Sequence, residues 1–135
     1  MNKNDLKKYL PRDKCDIESI EQLIMIGLPT IKPLIPDLLE WTEDYNWPVA
    51  MKLIPFLADN AREIISELDS VFDFNDAIWS YWILSQVIAK QPDEVLIRFE
   101  VRIEKLSSIQ TFDVDEIELR DIVIKLLDRI GNSIS

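Results

Sequence analysis

Twenty-five carboxylates, four tryptophans, three tyrosines, one cysteine and no histidine are the groups with which this 135-residue chain could do chemistry. The absence of histidine removes Ser–His–Asp and Cys–His catalysis, His-ligated zinc or haem, and histidine-based pH switching. Cys15, alone, can form neither a thiolate metal site nor a dithiol pair nor an internal disulfide, which suits a reducing cytoplasmic compartment. The only glycines, Gly27 and Gly131, lie in no phosphate-cradling motif. Asp73-Phe74-Asn75-Asp76 resembles the start of a calcium loop but lacks the glycine and the distal glutamate such a loop needs, so it reads as a loop ending in a helix N-cap. No catalytic residue, cofactor or metal ligand set is expected, and the chain reads as a non-enzyme.

Aromatic side chains are the more informative set. Trp41, Tyr45, Trp47, Trp79, Tyr81 and Trp82 fall into two short stretches separated by a helix-length interval. Clustered Trp and Tyr either anchor interfaces or fill irregular space between helices. Trp47 and Tyr81 sit off the densest apolar stripe of their segments and are the ones expected to reach solvent. The candidate binding set is therefore Trp47, Tyr81 and Trp79 as an aromatic floor, with Glu40, Asp44 and Asp76 as its acidic rim. Such a surface suits a partner offering Arg or Lys, through cation–π contact and charge pairing. The net charge of −10 points the same way. It opposes binding to nucleic acid and to anionic membrane surfaces, and it steers basic partners, although an acidic surface also simply maintains solubility.

The elements that would position these residues are helical. Leu34, Ile35 and Leu38 return as Ile64, Ile65 and Leu68, and Asn46, Leu53, Ile54 and Leu57 return as Asp76, Ile83, Leu84 and Val87, a period of about thirty residues. With an insertion, Ile78, Ile83, Leu84 and Val87 return once more as Ile117, Ile122, Val123 and Leu126. The spacing predicts helices over 16–26, capped by Asp16 and stopped by Gly27; over 30–42, with Pro33 and Pro36 near its start; over 47–58, capped by Asn46 and kinked at Pro55; over 60–70, capped by Asp59 or Asn60; over 77–90, capped by Asp76; over 92–106; and over 115–130, capped by Asp115 and ended by Gly131. Residues 107–114 read as the longest loop. The segment 77–90 is apolar all round, as in a helix buried on most sides or lining a groove. The fold class is all-α: a HEAT/armadillo-like right-handed stack of about three antiparallel helix pairs plus an N-terminal capping helix, in a single helical-repeat domain spanning 1–135. Ile83, Leu84, Val87, Leu53, Leu57, Leu68 and Phe99 are expected in one continuous core. Residues 1–10 lack the apolar run of a signal peptide, and no run approaches the roughly 20 apolar residues of a membrane span.

Leu38-Leu39-Glu40-Trp41, Asn46-Trp47-Pro48-Val49-Ala50 and Ile78-Trp79 with Tyr81-Trp82-Ile83-Leu84 resemble a family of small bacterial proteins classed as a domain of unknown function. Leu10-Pro11-Arg12-Asp13-Lys14 and the segment 16–23 are similar to its opening. The resemblance extends over about 6–106 and implies a HEAT-like helical fold without supplying an activity or catalytic residues.

Repeat architecture, acidity and missing catalytic chemistry together favour a protein-binding module, with an immunity-type protein that neutralises a basic toxin domain as one version. The alternatives are an enzyme of a HEAT-like class, such as a DNA-glycosylase-like fold, and a structural or regulatory subunit of a larger assembly. The first alternative is short of basic residues for phosphate contacts, with Lys52 and Lys90 as scant supply.

Overall fold

Proline placement and apolar spacing decide where the helices of this chain start and stop. The computed structural model describes residues 2–108 and 114–134. The elements are α1 (Lys3–Leu6), continued by a 3-10 turn at Lys7–Tyr9; α2 (Ile17–Ile26); α3 (Ile35–Leu39), flanked by 3-10 turns at Lys32–Leu34 and Glu40–Thr42; and α4 (Pro48–Asp59). They continue with α5 (Ile65–Ser70), between turns at Ala61–Glu63 and Val71–Phe74; α6 (Ala77–Gln86), followed by a turn at Ile88–Lys90; α7 (Asp93–Leu96), the turn Ile97–Phe99, α8 (Glu100–Leu106) and α9 (Val114–Ile134). Among the described residues there is no strand, and no helix is long and apolar enough to cross a membrane.

The helices lie in two rows. In one row α2 packs on α4, α4 on α6 and α6 on α9. In the other α3 packs on α5, and α5 on the 97–99 turn. Within pairs, the 40–42 turn meets α4, the 71–74 turn meets α6, and α7 and α8 meet α9. Leu53, Leu57, Leu68, Ile83, Leu84, Val87 and Phe99 all belong to one buried cluster between the rows, as the repeat spacing requires.

Several local expectations hold. Asp16 caps α2: its carboxylate accepts the Ser19 backbone N–H at 3.4 Å, and also accepts from the Arg12 N–H at 3.0 Å and from Ser19 Oγ at 2.7 Å. These bonds, the Arg12 backbone N–H foremost, hold the Asp16 carboxyl well below the usual carboxylate range. Gly27, at φ 71°, ends α2 by donating its N–H to the Leu23 carbonyl, a conformation that favours glycine. Helix α4 contains Pro55, as expected, and runs on beyond it to Asp59, with Pro55 on its exposed side.

Other expectations require correction. The segments 30–42, 60–70, 77–90 and 92–106 are not single α-helices: each breaks into α and 3-10 pieces, and in 30–42 Pro33 and Pro36 remove backbone donors at the break. Helix α2 does not stand alone, since the turns at 3–9 pack on it and on the 32–34 turn and bury Leu6 completely. Asn46 is not the cap of α4. Trp47 occupies that position without a side-chain bond, and since Pro48 has no N–H, the first N–H of the helix is that of Val49, which goes to the Lys14 carbonyl at 3.0 Å. Asn60 starts no helix either; its Nδ2 closes α4 by donating to the Phe56 carbonyl at 2.8 Å. Asp115 lies inside the first turn of α9, and Gly131 lies within that helix and does not end it. Of the expected loop at 107–114, residues 109–113 lie outside the described residues.

Leu84 is fully buried in the row formed by α4, α6 and α9. Leu84→Ala is expected to lose about 2–5 kcal/mol in denaturant unfolding; a loss below about 1 kcal/mol would remove Leu84 from the core.

Candidate functional site

Helix α6 begins where the 71–74 turn ends. Asn75 takes the left-handed conformation at φ 55°, which asparagine tolerates, and turns the chain so that Asp76 can cap the helix. Asp76 Oδ1 accepts from the Trp79 N–H at 3.0 Å. The ten residues that follow, Ala77–Gln86, include no charged side chain. One face buries Trp79, Ser80, Ile83 and Leu84. The opposite face carries Ile78, Tyr81, Trp82 and Ser85 at i, i+3, i+4 and i+7. Ile78 is 46% exposed, and Tyr81 and Trp82 are half-buried. Tyr45 stacks on Trp82 at 5.0 Å between ring centroids, and Tyr81 meets the Trp82 ring edge at 5.2 Å.

The neighbouring helices continue this outward face. Shifting by the repeat of about thirty residues sets Met51 of α4 against Tyr81 of α6, and Met51 is 55% exposed. The longer shift sets Ile117 of α9 against Ile78, and it too is exposed. On the other flank of α4, Met25 and Ile24 of α2 border a groove of about 700 Å³ with Met51, Pro55 and Phe56. Apolar groups therefore recur on the solvent side of α2, α4, α6 and α9.

The candidate residues from the sequence are divided by the fold. Tyr81 lies on the outward face. Trp47 is half-buried with its ring at 6.3 Å from Trp41, edge to face. Trp79 does not belong to an open floor: it is 2% exposed, and its Nε1 donates to Thr42 Oγ1 at 2.9 Å, while Thr42 Oγ1 donates to the Leu39 carbonyl. A buried indole needs a partner for its N–H, and the buried Thr42 hydroxyl supplies it. Asp44 closes a local turn by accepting the Asn46 N–H at 2.8 Å. Glu40 and Trp79 both line a pocket of about 330 Å³, with Asp37, Asp73 and Phe74.

Asp76 and Glu40 also converge on Glu43. Burial first, and then the charges of Asp76 and Glu40, raise the Glu43 carboxyl above its ordinary value. No lysine or arginine pairs with any of these three among the described residues. Glu43 thus joins Glu40 and Asp76 in one acidic group, and it was not among the residues singled out from the sequence. Trp82, Ile78, Tyr45 and Met51 were missed as surface groups, although the repeat offset from Tyr81 to Met51 carried the signal. Among the described residues no group of three or more His, Cys, Asp or Glu side chains is arranged to hold a metal ion.

Residues 9–127 match the model of a family described as a domain of unknown function (DUF5071). No curated protein matches the chain.

Two substitutions separate the real cap from the expected one. Asp76→Ala is expected to cost about 0.5–2 kcal/mol in chemical unfolding, and Asn46→Ala less than about 0.5 kcal/mol. Equal costs would contradict the capping geometry at α6.

Proposed function

The chain belongs to this domain family, and from its surface we propose that it is a protein-binding module whose partner docks on the outward face of α4 and α6. The observation that carries the reading is the uncharged α6 with Ile78, Tyr81 and Trp82 on its solvent side. A surface helix ordinarily turns charged residues outward; apolar groups there, with Tyr and Trp among them, are typical of interface anchors. Two rows of helices related by a repeat of about thirty residues support a HEAT/armadillo-like arrangement, in which stacked helices present an extended binding surface. The opposite row differs in kind. Its elements are joined by ion pairs, Arg62 to Glu94 and Arg102 to Asp69 and Asp73.

Glu40, Glu43 and Asp76 bring like charges together beside the site, and among the described residues no lysine or arginine pairs with them. A partner carrying Arg or Lys would relieve that repulsion and gain charge-assisted contacts. A basic toxin domain is a partner of this chemistry, with the chain acting as its immunity-type inhibitor.

Capture from the native organism with two baits tests the reading. The wild-type bait is expected to retain a basic protein that elutes with added salt. A bait carrying Ile78→Lys and Tyr81→Ala, with an unchanged helical spectrum, is expected to retain at least about tenfold less of it, as loss of central anchors implies. Equal recovery on both baits would place the interaction elsewhere.

A further inference from the structure

The row opposite the proposed docking face holds a polar groove of about 510 Å³ between α5 and α8. Its lining gathers five of the fifteen cations of the chain, Lys32, Arg62, Arg98, Arg102 and Lys105. The same lining carries Glu63, Glu67 and Asp69, so cations outnumber carboxylates there, in a molecule of net charge −10. Arg98, Arg102 and Lys105 follow one another at intervals of four and three, which sets them on one helical edge. Lys32 and Arg62 stand in the same groove from earlier elements, and Val101, 67% exposed, adds an apolar contact.

The cations differ in availability. Arg102 is committed: it donates from Nε and Nη2 to Asp69 at 3.2 and 2.9 Å, and it pairs with Asp73 at 2.8 Å. Arg62 pairs with Glu94. Lys32, Arg98 and Lys105 have no carboxylate partner among the described residues. Two glutamates of the lining, Glu63 and Glu67, remain in the groove. They would repel a compact, densely charged anion such as an oligophosphate, but a chain whose carboxylates are spaced along a backbone can pass them and still reach the three free cations.

We propose that the groove between α5 and α8 is a second docking surface, which takes an acidic segment of a protein through Lys32, Arg98 and Lys105. It lies on the face opposite α6 and is independent of the basic partner proposed there. The two surfaces have opposite charge, so they would recruit different proteins.

Fluorescence anisotropy with a labelled oligoglutamate peptide tests this, with an oligolysine peptide of equal length as control. At low salt the oligoglutamate is expected to bind saturably, and Arg98→Glu with Lys105→Glu to weaken it by about tenfold or more. Both positions are exposed, and thermal melts establish that the variant is folded. Ile78→Lys, on the other face, is expected to leave oligoglutamate binding unchanged. Absence of binding, or equal binding by the charge-reversed variant, would overturn the proposal. Tripolyphosphate displacing the peptide at equal charge concentration would overturn it in favour of a phosphate-type anion site. A dimer in sedimentation equilibrium that the same variant abolishes would overturn it in favour of a second copy of this chain.

Discussion

A ten-residue helix without a charged side chain must lose most of its surface to other groups, and the fold is arranged around that requirement at α6. Burial of large apolar side chains is the dominant favourable term in folding, at about 25 cal/mol per Å² of apolar surface. Helix α4 covers one flank of α6 and α9 the other, and the 71–74 and 40–42 turns cover its inner side. What remains open is the stripe of Ile78, Tyr81 and Trp82, partly shielded by the Tyr45 ring.

Polar side chains secure the joints that apolar packing leaves loose. At one end of the row, Gln91 Nε2 donates to the carbonyls of Ala58 and Val87, which links the end of α4 to the segment after α6. Arg129 of α9 donates to the Ala89 and Gln91 carbonyls and pairs with Asp93. Carbonyls at helix ends lack intrahelical partners, so each of these bonds also satisfies a group that burial would otherwise strand. Nearer the other end, the Trp79 indole and the Thr42 hydroxyl tie α6 to the 40–42 turn. The carbonyl of Lys14 reaches the start of α4 from a distant loop, itself anchored by Asp16.

Periodic signals in the sequence marked the core well, because the offset between Leu53 and Ile83, or Ile54 and Leu84, reflects the same position in successive helices of one row. Asp16, Gly27 and Asp76 were legible because each acts on its own neighbours in the chain. Asn46 misled because its offset from Asp76 suggested a shared role, whereas Pro48 has no N–H and the Val49 N–H of α4 goes to the carbonyl of Lys14, more than thirty residues away in sequence. Helix α1 was invisible because a single buried residue, Leu6, has no period. Trp79 was wrongly grouped with Tyr81: their separation by two positions puts them on different sides of one helix, so Trp79 goes into the core while Tyr81 faces outward. The basic groove was likewise hidden, since its cations come from four separate segments that only the stacking of α5 against the 97–99 turn and α8 brings together.

On the proposed reading, the outward stripe of α6 is surface that contributes little to the fold. The unfolding free energy of Ile78→Lys measures this without knowledge of any partner. Ile78 is half exposed, so the substitution is expected to cost no more than about 1 kcal/mol, as for surface changes away from core packing. A loss of about 3 kcal/mol or more, the size seen when a buried aliphatic side chain is removed, would assign the stripe to the core and contradict the account.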